Sequence, residues 1–332
     1  MLQARTGTLE VGASPQELER LVEWARAFDG PRLVAIEGAK GFGLPLSRRF
    51  LALDEDVVDV PTHLTADGRR SSRSRGEDDP SDAITIARIA LREPGLPRLR
   101  ESRLDADLKL LVDARDQVVA EGTRARDRLH ALLLALAPGY RAETGALSNR
   151  RGLVAAGRLA RQARATDPIR ARIALGGIRR LRQIEAEAGE LEAEIRSLVE
   201  ASQSSRLLAV CGVGPIVAAE ILGETHDIGR FPSAAAFAAH AGSAPLPASS
   251  GTVHRHRLNR GGNRQLNRAL FTIAMAQARR DPQGIACLAR KRAEGKRPAE
   301  ARRCLMRHLA SVVYRAMVAD AGDRGARQVD AA

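Results

Sequence analysis

Two adjacent serines lie among small residues and are followed by closely spaced histidines and arginines. They are Ser249 and Ser250, in the segment Ala-Ser-Ser-Gly-Thr-Val-His-Arg-His-Arg that covers residues 248–257. A serine hydroxyl is a weak nucleophile unless a base removes its proton, which His254 or His256 could do. Guanidinium groups could then stabilise the charge of a phosphoryl transition state, and the chain supplies Arg255, Arg257, Arg260, Arg264 and Arg268. The alternative is a basic loop that only binds a phosphate backbone.

Three carboxylates form a second candidate site. Glu37 follows the apolar run at residues 33–36, and Asp79 and Asp82 stand three residues apart where a helix begins, so these two share one helix face. Carboxylate oxygens are ligands that Mg²⁺ prefers, and two such ions can hold the attacking and leaving oxygens of a phosphodiester transfer. The alternative assigns Asp79 or Ser81 to a helix cap and Glu37 to the surface at a strand end.

A turn with two glycines is the third candidate. The sequence Cys-Gly-Val-Gly-Pro at residues 211–215 separates two apolar segments. Gly212 and Gly214 would let backbone N–H groups approach a phosphate closely, because glycine has no Cβ. Such a turn between helices is typical of a helix-hairpin-helix, which binds DNA without reading its sequence. The alternative is a tight helix–helix turn without a ligand.

Alternating strands and helices must position the carboxylates. Apolar runs at residues 33–36 and 57–60 predict buried strands, and helical patterns surround them, which predicts an α/β layer with parallel strands. Residues 104–136 and 178–200 carry apolar side chains at steps of three and four, which predicts an antiparallel helical arm with a coiled-coil seam.

The predicted fold class is therefore α/β plus all-α, in four parts. Residues 1–100 are predicted to form the α/β domain and residues 101–203 the helical arm. Residues 204–320 are predicted to form a helical carboxyl-terminal domain that carries the glycine turn and the serines. Residues 321–332 are predicted to be a disordered tail.

Composition restricts the class of partner. The chain has 53 Lys and Arg against 40 Asp and Glu, a net charge of +13, which favours a polyanion such as nucleic acid. Cys211, Cys287 and Cys304 lack the CxxC spacing of a zinc site, and they suit a reducing, intracellular setting. No apolar segment is long enough for a signal peptide or a membrane span, so we expect a cytoplasmic, nucleoid-associated protein.

Together these segments resemble the IS110 family of insertion-sequence transposases, and the resemblance extends over nearly the whole chain. Residues 34–38 are similar to the family's glutamate strand, and residues 79–83 are similar to its D-x-x-D-A pair. Residues 207–219 are similar to the glycine-containing segment that opens its second domain. The longest match is the serine motif with its basic run, residues 248–263. The family's nucleophile is the serine directly before glycine, here Ser250.

The resemblance implies a two-part recombinase. The α/β part would be a partial RNase H-like domain, called DEDD after its four carboxylates, in which Glu37, Asp79 and Asp82 hold Mg²⁺. Ser250 would attack a DNA phosphodiester and form a covalent phosphoserine link. Strand exchange would take place in a homo-oligomer, a dimer or tetramer, with one subunit's carboxylates beside another's serine. The family includes members whose target is chosen by a noncoding guide RNA.

One family residue has no counterpart in the sequence. The first DEDD aspartate belongs to the first strand of the RNase H-like sheet, but only Asp29 precedes Glu37 here, and it stands beside Gly30 at a predicted helix end. We therefore expect that the chain begins one hairpin late, and that it binds nucleic acid but cuts poorly. Two alternatives remain open. One is a non-catalytic, nucleic-acid-binding remnant, and the other is a metal-only nuclease resembling a junction resolvase, in which Ser250 has no role.

Overall fold

The computed structural model divides the chain into two compact units, Met1–Ser102 and Arg103–Ala332. It describes residues 7–39, 41–62, 64–65, 79–93, 95–96, 98–99, 103–247, 256–257, 259 and 261–330, with the backbone alone at 79, 103, 247, 256–257 and 324–330. The first unit combines helices with a parallel sheet, and the second is mostly helical. This agrees with the predicted combination of α/β and all-α parts.

The first unit pairs its helices with one two-stranded sheet. Helix α1 (Pro15–Arg26) begins at a cap, because the Ser14 hydroxyl oxygen accepts the backbone N–H of Glu17 and a proline occupies the first turn. The two strands are parallel, which confirms the predicted parallel layer, with Leu33 opposite Asp56 and Glu37 opposite Val60. In chain order the further elements are strand β1 (Leu33–Glu37), helix α2 (Leu44–Leu51), strand β2 (Asp56–Val60) and helix α3 (Asp79–Arg92).

The core of the first unit is small. Val22 of α1, Ile36 of β1, Phe50 of α2 and Val57 of β2 pack together with Ala39. Helix α3 packs against both strands. The helix that carries Asp79 and Asp82 therefore lies on the sheet whose first strand ends in Glu37.

Two 34-residue helices form the arm of the second unit, α4 (Arg103–Leu136) and α7 (Pro168–Ala201). They run antiparallel, as ion pairs between Arg115 and Glu192 and between Arg180 and Glu121 show. Helix α7 begins well before the predicted residue 178, because Asp167 caps it by accepting the backbone N–H of Arg170 at 3.0 Å. The predicted apolar seam of α7 is buried in the chain itself, at Leu181, Ile184 and Ile195.

The connection between α4 and α7 is itself helical. Helix α5 (Arg141–Thr144), helix α6 (Arg150–Gln162) and a 3₁₀ turn at Ala163–Ala165 lie at the far end of the arm. They enclose a second core with the arm helices, which includes Leu129, Leu133, Tyr140, Leu153 and Leu181. The far end of the arm therefore has its own apolar interior.

The carboxyl-terminal helices and the base of the arm share the largest core. Leu108 of α4, Ile195 of α7 and residues of the later helices belong to it, so the arm is continuous with these helices in one unit. The later helices are α8 (Ser205–Leu208), α9 (Pro215–Thr225), α10 (Ala234–His240), α11 (Arg264–Arg280), α12 (Pro282–Ala293) and α13 (Pro298–Asp330).

A short hairpin interrupts these helices. Strands β3 (Leu246–Pro247) and β4 (His256–Arg257) pair antiparallel, with Leu246 opposite Arg257. The sequence analysis did not predict this hairpin, because two-residue strands give no alternation of apolar and polar residues.

The last helix is longer than expected. Helix α13 continues to Asp330, although a disordered tail is predicted from residue 321. Two carboxylates hold the helix there: Asp320 accepts the backbone N–H groups of Arg206 and Leu207 at 3.0 Å, and Asp323 pairs with the Arg206 side chain. Among the residues that the structure describes, no helix has both the length and the apolarity of a membrane span.

Candidate active site

Glu37 ends strand β1 and contacts a buried threonine. The hydroxyl of Thr65, a residue that is 3% exposed, donates a hydrogen bond to Glu37 Oε1. Asp59 of β2 lies one residue before Val60, the strand partner of Glu37. Because Asp59 is paired with Ile36, its side chain points to the opposite face of the sheet from Glu37. Its carboxylate accepts the backbone N–H of Ala39 at 3.1 Å. Asp59 therefore holds the turn after β1, a role that the sequence analysis missed.

The two aspartates of the predicted metal site lie at the start of helix α3. Asp79 is its first residue, and Asp82 follows one turn later and is partly buried. The side chain of Asp79 is outside the described part of the chain. Among the side chains that are described, no group of three His, Cys, Asp or Glu residues could hold a metal ion. The oxygen ligands of Glu37 and Asp82 are nevertheless of the kind that Mg²⁺ prefers.

The hairpin of β3 and β4 brings the two ends of the serine segment together. Residues 248–255, which connect the strands, include Ser250 and Arg255 and lie outside the described residues, as does Arg260. Only the backbone of Arg257 is described. The structure therefore describes only the residues on either side of this segment. We call the described residues within 242–247 and 256–263 the frame of the serine segment.

Two glycines and two asparagines anchor this frame to helix α10. The Asn259 side chain donates to a carbonyl oxygen of α10 at 2.9 Å, and the Asn263 backbone N–H donates to His240 O at 2.7 Å. Gly242 has a φ of +66°, and a Cβ on Gly262 would lie 2.3 Å from the Gly242 backbone. Glycine is therefore required at both positions, where the chain enters and leaves the serine segment.

Asn263 connects the serine segment to two helices. Its side-chain oxygen accepts the backbone N–H groups of Gln265 and Leu266, both at 3.0 Å, and so begins helix α11. Its side-chain nitrogen donates to Glu224 of α9 at 2.6 Å. One residue thus ends the basic segment, caps α11 and contacts a partly buried carboxylate.

Two carboxylates of α9 lie beside the arm, Glu220 buried and Glu224 partly buried. Glu224 pairs with Lys109 of α4, and Glu220 pairs at 2.7 Å with Arg268 of α11, which also pairs with Asp116 of α4. Buried charges are costly unless they are paired and hydrogen bonded, so these contacts fix α4, α9 and α11 relative to one another. The sequence analysis missed this cluster. Its signal is the spacing of Glu220 and Glu224, four residues apart in an otherwise apolar helix.

The two carboxylates have opposite pKa shifts. Burial raises the pKa of Glu220 above its ordinary value, although the charge of Arg268 opposes this. Burial also favours the neutral form of Glu224, but hydrogen bonds from Lys109 and Asn263 outweigh it and hold the pKa of Glu224 below its ordinary value. The acidity of Glu224 therefore depends on contacts with the arm and with the end of the serine segment.

The predicted phosphate-binding arginines that are fully described lie on α11. Arg264 is exposed at its first turn. Arg268 pairs with Glu220 and Asp116, and its side chain is still 45% exposed. These ion pairs give Arg268 a structural role within the helical unit, and its role on a phosphate stays a prediction.

The glycine turn lies between α8 and α9. Gly212 has a φ of +93°, and a Cβ there would lie 2.9 Å from the Ala276 Cβ, so its packing against α11 requires glycine without any ligand. Gly214 precedes α9 and has open space where a Cβ would stand. The phosphate-binding role of Gly212 and Gly214 stays a prediction.

Comparisons with known proteins match both units. A transposase model for the DEDD domain of the IS110 type matches residues 3–138, and the model of the transposase IS116/IS110/IS902 family matches residues 204–288. The 42 kDa protein of insertion element IS900 from Mycobacterium paratuberculosis is 28% identical over 329 residues, which cover 86% of this chain and 82% of that protein.

Two Streptomyces proteins are similar as well. The 43.6 kDa protein of insertion element IS110 from Streptomyces coelicolor is 43% identical over 132 residues, 39% of this chain and 32% of that protein. The 44.8 kDa protein of insertion element IS116 from Streptomyces clavuligerus is 26% identical over 82% of this chain and 78% of its own length. The two family models and these relatives show that the chain belongs to the IS110 family of insertion-element transposases.

Proposed function

We propose that the chain is a DNA recombinase that cuts and rejoins DNA through Ser250, with Glu37, Asp79 and Asp82 as a second part of its active site. The anchored frame of the serine segment is the observation that carries the proposal. A loop that only gripped phosphates would not need two touching glycines and an asparagine tied to a partly buried carboxylate. A nucleophile does need such a frame, because small errors in its position cost a large part of the rate.

The proposed chemistry is an exchange of phosphoesters. The Ser250 oxygen bonds to the phosphorus of a DNA phosphodiester while the bond to one deoxyribose oxygen breaks. The serine proton passes to a base, for which His254 and His256 are the candidates, and the leaving oxygen takes up a proton. Attack of another strand's hydroxyl on the phosphoserine reverses these steps and rejoins the DNA.

Cationic and backbone groups would bind the DNA around this step. Arg255, Arg257, Arg260, Arg264 and Arg268 would stabilise the charge on the phosphoryl group and hold neighbouring phosphates. Gly212 and Gly214 would bring backbone N–H groups to the DNA backbone. The net charge of +13 supports a polyanionic partner.

The carboxylates would hold Mg²⁺. Glu37, Asp79 and Asp82 offer oxygen ligands, and the Thr65 hydroxyl fixes one oxygen of Glu37. When bound, the metal neutralises charge on the phosphate and polarises it for attack. We further propose that the chain acts as a dimer or tetramer, with a noncoding RNA as a possible second nucleic-acid partner.

A covalent adduct tests the proposal. The purified chain is incubated with DNA of its own element and Mg²⁺, denatured, and examined for protein–DNA adducts by gel electrophoresis and mass spectrometry. We expect a phosphoserine adduct at Ser250 that is absent from Ser250→Ala and present in Ser249→Ala, the matched control.

Each other outcome selects a different function. Cutting that persists without an adduct in Ser250→Ala would favour the metal-only nuclease. Salt-dependent DNA binding with neither cutting nor adduct would favour the non-catalytic remnant. An adduct at Ser249 would move the nucleophile by one residue.

A further inference from the structure

All three cysteines of the chain line one cleft in the second unit. The cleft has a volume of about 1020 Å³ and lies between α12, α13 and the turn that follows α8. Cys211 is exposed, Cys287 and Cys304 are partly exposed, and all three are free thiols. They are far apart in the sequence, so the fold alone brings them to one surface.

The charged groups of this cleft are mostly positive. Four cationic side chains and one carboxylate line it, namely Arg206, Arg290, Lys291, Arg315 and Asp281. Arg290 and Arg315 are exposed, and within the described part of the chain their guanidinium groups make no hydrogen bond or ion pair. Two cations are therefore available to a ligand without breaking a contact of the fold.

Apolar side chains separate these cations. Val210 of the turn after α8 and Val312 and Ala316 of α13 are partly exposed and line the cleft beside His308 and Arg315. Cations beside apolar surface match one strand of nucleic acid, whose phosphates take the charges while its bases cover the apolar groups. Guanidinium planes such as that of Arg290 can also stack on bases.

The size of the cleft favours a single strand. Its volume lies at the upper end of the about 300–1,000 Å³ that is typical of small-molecule pockets, which admits a few nucleotide groups. A double helix is too wide to enter the space between two packed helices, because its major groove alone is wide enough to hold an α-helix. Of the predicted site residues that the structure describes in this unit, Gly212, Gly214, Arg264 and Arg268 do not line the cleft.

We propose that this cleft binds a single strand of nucleic acid, at a site separate from the described residues that frame the serine segment. The proposal rests on nucleic acid as the partner of the proposed function, but not on Ser250 as the nucleophile. DNA and RNA share the chemistry that the cleft recognises, and the experiment distinguishes them.

Thiol modification reports on the cleft directly, because the chain has no other cysteines. The full chain with Ser250→Ala, which forms no phosphoserine, is treated with a thiol reagent, and each cysteine is followed by mass spectrometry. The probe is a single strand of about 12 nucleotides, within the site sizes of single-strand-binding folds, supplied as DNA or as RNA. We expect one of these strands, or both, to slow the modification of all three thiols.

Neutralising the two unpaired arginines tests the charge contribution. In Arg290→Gln/Arg315→Gln we expect the protection to be lost and the salt-dependence slope of strand binding to fall by about 1.4, since each phosphate contact on a single strand contributes about 0.7. The matched control is Arg164→Gln/Arg172→Gln, which removes the same charge at exposed positions of the arm. It should keep the protection.

Several results would overturn the proposal. They are the absence of protection, equal protection by polyglutamate, protection by duplex alone, and protection that survives in Arg290→Gln/Arg315→Gln. Protection by DNA alone or RNA alone supports the cleft and identifies its ligand. Because no cutting is measured, a failure here is distinguishable from the absence of a Ser250 adduct.

Discussion

The two regions that carry the proposed chemistry are built in different ways. The carboxylates stand on a two-stranded sheet and on the helix α3 that packs against it, in a unit with a small core. The described contacts of Glu37 and Asp59 come from residues fewer than thirty positions away. The serine segment is framed by helices that share the largest core, and its last residue is tied to a carboxylate that pairs with the arm. Local contacts hold the first site, whereas long-range ion pairs hold the second.

This difference shows what each site can tolerate. An Asp→Asn substitution at a proposed metal ligand of the first unit should change the chemistry more than the fold, because the amide keeps the size of the side chain. A substitution in the frame of the serine segment should change stability and chemistry together.

The largest effect is expected at a carboxylate of the proposed metal site. Asp82→Asn should lower cleavage at least about 100-fold, because an amide binds Mg²⁺ far more weakly than a carboxylate. The change in thermal unfolding should be smaller, since the amide keeps the size of the side chain. The control is Asp59→Ala, which should lower the free energy of unfolding by about 1 kcal/mol, since the Ala39 N–H loses its acceptor, and leave cleavage near the wild-type rate. Normal cleavage by Asp82→Asn would remove this residue from the site.

A large loss of stability is expected when an ion pair between α4 and α9 is broken. Lys109→Met should lower the free energy of unfolding by about 3 kcal/mol, the lower end for breaking a buried pair, because Lys109 is partly exposed. Denaturant unfolding measures this change, and adduct formation should fall with it. Lys291→Met, which breaks the exposed pair with Glu294, is the control and should change stability little. Equal effects of both variants would contradict the special role of the buried cluster.

A smaller effect is expected where the two glycines meet. Gly262→Ala would place a Cβ 2.3 Å from the Gly242 backbone, which should cost about 1–3 kcal/mol of stability and displace the serine segment. At Gly261 the nearest atom to an added Cβ is 3.7 Å away, so Gly261→Ala should be tolerated. Adduct yield and thermal unfolding are measured on both. A tolerated Gly262→Ala would show that the frame is not rigid.

The smallest effect is a pair of opposite pH dependences. The raised pKa of Glu220 makes its contribution to stability fall as pH rises above its ordinary value of about 4.5, whereas the lowered pKa of Glu224 makes its contribution fall as pH drops below that value. Relative to wild type, Glu220→Gln should therefore gain stability as pH rises above 4.5. Glu224→Gln should lose stability at neutral pH, and this loss should shrink in acid. Denaturant unfolding at several pH values would show parallel curves if the two carboxylates were equivalent.

Much of the fold follows from the sequence, because local patterns determine it. Apolar runs predict β1 and β2 to within one residue, and apolar periodicity predicts α4 almost to its ends. The start of α7 could not be predicted from its seam, because the cap at Asp167 lies before the periodic part. Helix α6 and the far core of the arm were not predicted, although Leu153, Ala156 and Ala160 follow helical spacing and pack into that core.

The candidate sites could be predicted from the sequence only in part. Residue types and spacing single out Glu37, Asp79, Asp82 and the pair Ser249 and Ser250 as candidates, since these motifs are short and continuous. The resemblance to the family then favours Ser250. The contact between Lys109 and Glu224 joins residues 115 positions apart, and no local pattern contains it. The cysteine-lined cleft is formed by α12, α13 and a distant turn, so it also depends on the tertiary fold.

The meeting of Gly242 and Gly262 has a consequence for the evolution of this chain. A segment whose two ends touch can change its length and composition without moving the helices that it joins, as in compact surface loops. Residues 244–258 could therefore vary between relatives as one unit, provided that Gly242, Asn259 and Gly262 remain. Such a change would let an insertion element acquire new contacts around its serine in one recombination event, while the helical scaffold stays as it is.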